Sequence, residues 1–315
     1  MVLIEAAVMA TIGLVLLVLA GDLLVRGAVN LALRVGIPAL VVSLTVVAFG
    51  TSLPELLISV DAVLSGKPGL ALGNVVGSNI ANILLVLGLP ALISGLHTGR
   101  VNTRRSYLTM VAATLLFVAL AQRGVIDLWA GIILLVALAL ALSDQLRGAL
   151  KARRGDDGMA PDTADPEMPA WRIAVFLTMG LAGLPLGADL LVTNAAVLAS
   201  AFGVSDAVIG LTLVAVGTSL PELATTVMAA LRRQADVAIG NVIGSNLFNL
   251  LAILGITALV GPIPVAPEIA RFDIWVMLGA ALLLGGFVLL RRDLTRRWGI
   301  ALSAAYLLYV ILVLI

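Results

Sequence analysis

The hexapeptide GTSLPE occupies residues 50–55 and recurs, unchanged, at residues 217–222. Both copies are embedded in stretches built otherwise of Val, Leu, Ala and Ile. Each places a carboxylate (Glu55, Glu222) one residue after a proline (Pro54, Pro221). A charged side chain at the centre of an apolar span costs a few kcal/mol or more, and by default it marks a functional site.

The rest of the chain explains why these segments are so apolar. Of its 315 residues, 61% are hydrophobic and 12% charged, against about half and a quarter in a soluble domain. Apolar runs at residues 6–20, 110–121 with their flanks, 126–142 and 274–290 have the length and composition of membrane-spanning helices. The chain therefore reads as an all-α, multi-pass integral membrane protein. A net charge of +1 carries no signal for nucleic acid, and the absence of cysteine excludes disulfides, thiolate metal sites and a cysteine nucleophile. Glu5 stands where a secretory signal would be basic, so the N-terminal run reads as the first helix.

The repetition extends well beyond the hexapeptide. Sliding the sequence against itself by 167 residues pairs residues 22–88 with residues 189–255 without a gap, and 34 of the 67 paired positions are identical. The chain thus divides into a first repeat (1–146), a polar linker (147–170) and a second repeat (171–315). Spans are expected near 4–33, 39–65, 70–96, 104–121 and 125–146, then 171–202, 206–231, 237–260, 273–290 and 298–315. Five spans per half put the second repeat into the membrane upside down relative to the first. Basic residues give an independent test. With both termini outside, fifteen Lys and Arg fall on the inner side (Arg34, Arg100, Arg104, Arg105, Arg147, Lys151, Arg153, Arg154, Arg172, Arg232, Arg233, Arg291, Arg292, Arg296, Arg297) and three on the outer (Lys67, Arg123, Arg271). This bias predicts a plasma-membrane protein with extracytoplasmic termini, a cytoplasmic linker and ten transmembrane helices in two inverted-topology repeats of five.

Inverted repeats with broken helices are a device of secondary transporters, and the hexapeptide has the matching chemistry. Pro54 has no N–H to offer the Gly50 carbonyl, and Pro221 none for Gly217, so the helix loosens between glycine and proline. Thr51, Ser52 and Glu55, like Thr218, Ser219 and Glu222, fall on one helix face. Hydroxyls, a carboxylate and loosened carbonyls form a hard oxygen donor set suited to Ca2+, Na+ or protons rather than zinc or copper. A second duplicated motif, GNVVGSNIAN at 73–82 and GNVIGSNLFN at 240–249, sets Ser78 with Asn82 and Ser245 with Asn249 on single faces. Its glycines form small-xxx-small patterns that allow close helix packing. Asn74, Asn79, Asn241 and Asn246 are suited either to bridging broken helices or to the site itself. Asp22, four residues before Arg26, and its repeat counterpart Asp189 read as structural or access-lining, and His97 as a surface residue. The acidic residues of the linker lack the ordered spacing of a calcium-binding loop.

At these motifs the chain resembles the cation/calcium antiporter superfamily. The pattern A-[FV]-G-T-S-L-P-E-L with G-N-V-[VI]-G-S-N-x-x-N is similar to its sodium/calcium exchanger branch; the proton/calcium branch usually has Asn-Ala where this chain has Thr-Ser. The resemblance implies four central helices around a group of ion sites, with Glu55 and Glu222 binding Ca2+ and, alternately, Na+. It implies hydroxyl ligands from Thr51, Ser52, Thr218, Ser219, Ser78 and Ser245, carbonyl ligands from Ala48 and Ala215, and amide ligands from Asn82 and Asn249. Some branch members carry an aspartate where this chain has Asn249. No cofactor is implied beyond the transported ions. The helices near residues 1–33 and 171–202 would slide past the core to alternate access.

The implied activity is exchange of Ca2+ for Na+, with a Ca2+/H+ antiporter as the alternative and a cation channel as a further one. A channel would more naturally assemble a symmetric filter from several subunits. Hydrolytic chemistry fits poorly, because two near-identical carboxylate sites lack the differentiated acid and base that catalysis uses.

Overall fold

The computed structural model describes residues 2–154, 165–203 and 215–314. Its architecture is all-α: α1 (Val2–Val35), a bent pair α2 (Ala39–Thr51) and α3 (Leu53–Leu64), α4 (Pro68–Ser94), α5 (Arg104–Ala121), α6 (Leu128–Arg154), α7 (Ala170–Ala201), α8 (Ala215–Thr218), α9 (Leu220–Leu231), α10 (Ala235–Val260), α11 (Ile269–Val288) and α12 (Arg296–Leu314). Among the described residues eight helices are long and apolar enough to cross a membrane, or nine if the bent pair is one span. The expected span at 206–231 accounts for the difference: residues 204–214 lie outside the described part, and only α8 and α9 represent it.

Local chemistry ends the helices where the sequence changes character. α1 stops at Gly36, whose φ of +71° is a left-handed cap, and the Ile37 N–H returns to the Ala32 carbonyl at 3.0 Å. Pro38 then prevents continuation. After α3, Gly66 makes the same cap with φ +72°. Its repeat counterpart after α9 is Arg233, held at φ +56° with the Gln234 N–H on the Ala229 carbonyl at 2.8 Å. A side chain is therefore kept where glycine is preferred, a strain of about 1 kcal/mol.

Helix ends gather on two faces. On the face where α6 ends and α7 begins, here termed the linker side, Leu96 bridges Leu294 and the exposed His97 pairs with Asp293 at 3.1 Å. The Asn30 side chain accepts from the Asp165 N–H at 2.9 Å, tying α1 to the chain entering α7. On the opposite face a two-stranded antiparallel ribbon joins Val125–Ile126 to Ile263–Pro264. Between the faces the packing is uneven. α10 is the most enclosed span, with nearly nine-tenths of its apolar window buried, whereas α1, α7 and α12 turn most of their apolar surface outward, as helices against lipid do. α1 and α7 form the most extensive helix pair, packed through Gly13, Gly180 and Gly187. A methyl group at Gly180 would lie 2.7 Å from Leu24 Cβ, so small residues set the close approach.

Two irregularities locate the functional region. α2 and α3 meet at Ser52 with a 42° bend, as the proline predicts. In addition, among the described residues single π-helical turns occur at Ser43–Val47, Asn82–Val86, Asn249–Ile253 and Ile269–Asp273. Two of them begin at matched asparagines of the duplicated second motif.

Candidate ion-binding site

The broken helices converge at the centre of the bundle. Glu55 and Glu222, each in the first turn of the helix that follows a break, are 1% and 0% exposed. Pro54 and Pro221 occupy positions at the start of α3 and α9, where the lost N–H is tolerated. The carboxylates thus project from newly started helices, whose N-terminal dipole ends favour negative charge.

The two motifs interlock. Ser52, from the first copy, donates its hydroxyl to Glu222 Oε1 at 3.1 Å, and Ser245 donates to the same oxygen at 3.4 Å. Thr51 Oγ1 lies 3.4 Å from Asn241 Oδ1 and 3.3 Å from the Ala48 carbonyl. These bonds join the first hexapeptide to the second repeat.

Asparagine ladders hold this arrangement. Asn74, Ser78 and Asn82 are spaced four apart on α4, and Asn241, Ser245 and Asn249 likewise on α10. The first member of each ladder grips the glutamate-bearing helix. Asn74 donates to the Glu55 carbonyl at 3.3 Å and to Ser59 Oγ at 3.1 Å; Asn241 donates to the Glu222 carbonyl at 3.3 Å and to Thr226 Oγ1 at 3.2 Å. Ser245, one turn on, is thereby set beside Glu222, and Ser78 holds the matching position on α4. Asn82 Nδ2 donates to Asn246 Oδ1 at 3.0 Å, leaving its own Oδ1 without a partner among the described residues, and Asn246 donates to the Asn79 carbonyl at 3.5 Å. Asn74 and Asn241 bridge helices rather than offer ligands, and Asn79 and Asn246 brace the far ends.

The oxygens that remain mark the site. Eight buried side-chain N and O atoms lack a hydrogen-bond partner among the described residues, and six of them are here: Glu55 Oε2, Glu222 Oε2, Ser219 Oγ, Asn82 Oδ1, and both amide atoms of Asn249. Buried polar atoms are almost always paired, and each one left alone costs about 1–3 kcal/mol. Two carboxylate oxygens, a hydroxyl and two amide oxygens are donors of the kind that hard cations take.

The other predicted ligands are placed less simply. Ser78 is buried on the ladder face, and Thr218 ends α8, half-buried and with a partner of its own. The Ala48 carbonyl accepts from the Ser52 N–H at 3.1 Å, and the Thr51 hydroxyl, whose one proton is shared between this oxygen and Asn241 Oδ1, lies 3.3 Å away. The side chain of Ala215 is outside the described part, while its backbone opens α8. A separate cavity of about 1260 Å3, lined by Arg105, Asp144, Arg233 and Asp236 among others on the linker side, shares no residue with the carboxylate site.

Both repeats carry this constellation, and the matches with known proteins fall on both. The sodium/calcium exchanger protein family matches residues 5–146 and again 172–315. The chain belongs to the sodium/calcium exchanger family. Among similar proteins, the inner membrane protein YrbG of Escherichia coli is 37% identical over 87% of this chain and 85% of its own length. The sodium/calcium exchanger MaX1 of Methanosarcina acetivorans is 33% identical over 95% of this chain and 96% of its own. A solved structure of the sodium-calcium exchanger NCX_Mj superposes with a TM-score of 0.84 at 32% identity, covering 97% of this chain and 98% of the other. This exchanger-family chain is thus a multi-pass, all-α membrane protein with the fold of a solved exchanger.

Within this family member, the sequence pattern alone did not reveal the π turns at Asn82 and Asn249. A π turn lengthens the ladder by one residue, so the helix beyond each asparagine is re-phased. Its sequence signal is faint, because Asn-Ile-Leu-Leu and Asn-Leu-Leu-Ala are ordinary helical sequences. What could have flagged it is a polar residue ending a four-residue ladder just before an entirely apolar turn.

Proposed function

We propose that the protein is a secondary active antiporter that exchanges Ca2+ for Na+ by alternating access, built from ten transmembrane helices in two inverted repeats of five with extracytoplasmic termini and a cytoplasmic linker. The observation that carries this reading is the group of unpartnered buried oxygens around Glu55 and Glu222, one carboxylate from each repeat. Together the two glutamates offer a formal charge of −2, which neutralises one Ca2+ or two Na+. Both ions compete for one pair of charges in a low-dielectric setting, so occupancy by one excludes the other. That exclusion is the physical basis of antiport. Neutral ligands complete the coordination: Ser219, Asn82 and Asn249 through unpartnered atoms, Thr51, Ser52, Ser78, Ser245 and Thr218 through hydroxyls, and the Ala48 and Ala215 carbonyls after local rearrangement. The α1–α7 pair moves against this core to open the site to either face.

Ca2+/H+ exchange is the second reading, favoured by the similarity to the Ca2+/H+ antiporter ChaA of Bacillus subtilis, 26% identical over 84% of this chain and 80% of its own length. The test is 45Ca2+ uptake into reconstituted vesicles with Na+, K+ and pH gradients imposed one at a time. Uptake driven by the Na+ gradient alone supports the first reading, and uptake driven only by the pH gradient supports the second. Calcium flux that needs no counter-ion would replace both with a channel.

A further inference from the structure

The two repeats are related in sequence, but the contacts they make are not equivalent. On the linker side α1 lies along α9: a methyl group at Gly21 would sit 3.1 Å from the Ala224 carbonyl and 3.3 Å from Met228 Cγ. One residue further on, Asp22 is gripped by two guanidinium groups. Arg26, one turn later on α1, reaches Asp22 Oδ2 at 2.9 Å. Arg232, at the end of α9, reaches Asp22 Oδ1 through both Nε and Nη2. The Asp22 and Arg232 side chains are only 17% and 26% exposed, so solvent screens this pair incompletely. α7, the partner of α1 under the repeat, makes no comparable contact with α3. Asp189, the counterpart of Asp22, is exposed and forms no ion pair among the described residues. Leu57, the counterpart of Ala224, is 69% exposed.

Alternation between inverted repeats exchanges the roles of the halves, so in the opposite state α7 would lie on α3 as α1 now lies on α9. The 167-residue shift supplies the residues that would meet there. Ala188 replaces Gly21, Asp189 replaces Asp22, Asp61 replaces Met228 and Ser65 replaces Arg232. Closure on the linker side therefore joins a carboxylate to two guanidiniums, whereas closure on the other face brings Asp189 towards Asp61 with only a hydroxyl where the arginine stood. Opposite charges attract and like charges repel by comparable amounts at equal distance. The same motion is thus favoured at one end and opposed at the other.

We infer that Asp22 and Arg232 form an electrostatic latch that biases the transporter towards the state closed on the linker side, with Asp61 and Asp189 opposing closure on the far face. The inference rests on the inverted-repeat reading given above. A charge-assisted pair of this burial changes the ratio of two states by about tenfold.

The chain has no cysteine, so a single reporter can be introduced cleanly. Ala224→Cys, on the surface covered by α1, is labelled in full-length protein in vesicles with a membrane-impermeant maleimide, without Ca2+ or Na+. Adding Arg232→Gln is expected to raise the labelling rate about tenfold. Adding Ser65→Arg to the otherwise intact chain, which gives Asp189 a partner and neutralises Asp61 in the opposite state, is expected to raise it as well. A rate unchanged by Arg232→Gln would overturn the latch, and a fall on Ser65→Arg would overturn the opposing half of it. Sodium-driven calcium flux in the reporter protein is read in parallel. Flux with unresponsive labelling removes the latch and leaves the exchanger reading intact, while absence of flux under every gradient removes the exchanger reading whatever the labelling does.

Discussion

Replacing Glu222 by glutamine changes charge with little change of shape, and the structure dictates how the amide must sit. Oε1 accepts from Ser52 and Ser245, so the amide oxygen has to remain there. The NH2 group is then forced into the place of Oε2, the unpartnered oxygen, where it points donor hydrogens at an incoming cation. The formal site charge falls from −2 to −1. At 4 Å and an effective dielectric of about 20, two unit charges interact by about 4 kcal/mol, and a divalent ion doubles that figure. Desolvation offsets much of this energy. If one quarter survives, Ca2+ loses about 2 kcal/mol of binding, roughly 30-fold, and Na+ about 1 kcal/mol, roughly fivefold. The expected signature is a loss of Ca2+ affinity several times larger than the loss of Na+ affinity, with calcium transport abolished at low micromolar Ca2+. Both affinities are measurable by isothermal titration on purified protein, with 45Ca2+ flux on the same preparation and a thermal melt to verify folding. Equal losses for the two ions, or near-normal calcium flux, would refute the assignment of Glu222 as a charge the ions share.

Three further outcomes are expected. Asn241→Ala leaves the Glu222 carbonyl and the Thr226 hydroxyl each one bond short; at about 1 kcal/mol or more per bond, the KM for Ca2+ should rise at least tenfold while kcat falls less, and a kcat-only defect would contradict the positioning role. Gly244→Ala places a methyl group 2.6 Å from Ala48 Cβ and from the Leu44 carbonyl, which have little room to move, so the α2–α10 contact should lose about 1–3 kcal/mol, read as a lower Tm in detergent. Cysteines introduced at Ala160 and at Ile315 should label from opposite sides of the membrane, and labelling from one side would break the inverted arrangement.

Much of this protein is legible in the order of its residues. The apolar runs reveal a membrane protein because backbone groups in lipid can be satisfied only within helices. The 167-residue repeat reveals duplication, and GTSLPE points to the candidate site, because a carboxylate inside an apolar span is costly and by default marks a functional position. The broken helix at Ser52 follows from Pro54, a local cause, and was equally readable. Long-range contacts decided the rest. Whether Asn74 and Asn241 bridge or ligate depends on where their amides lie relative to carbonyls on a neighbouring helix, and the structure turns them towards the Glu55 and Glu222 backbones. Only the fold shows that the Ala48 carbonyl, a ligand by the resemblance, accepts from the Ser52 N–H and has the Thr51 hydroxyl within reach. The π turns at Asn82 and Asn249 arise from the fit between α4, α10 and their surroundings, for which these residues carry no local signature. The asymmetry between the halves was the least accessible to sequence. Asp22 and Asp189 are equivalent residues in equivalent helices, and only the packing of α1 on α9 gives one of them Arg232 as a partner. Duplication determines which residues the two halves can offer, and the conformation adopted by the folded chain selects which of them meet.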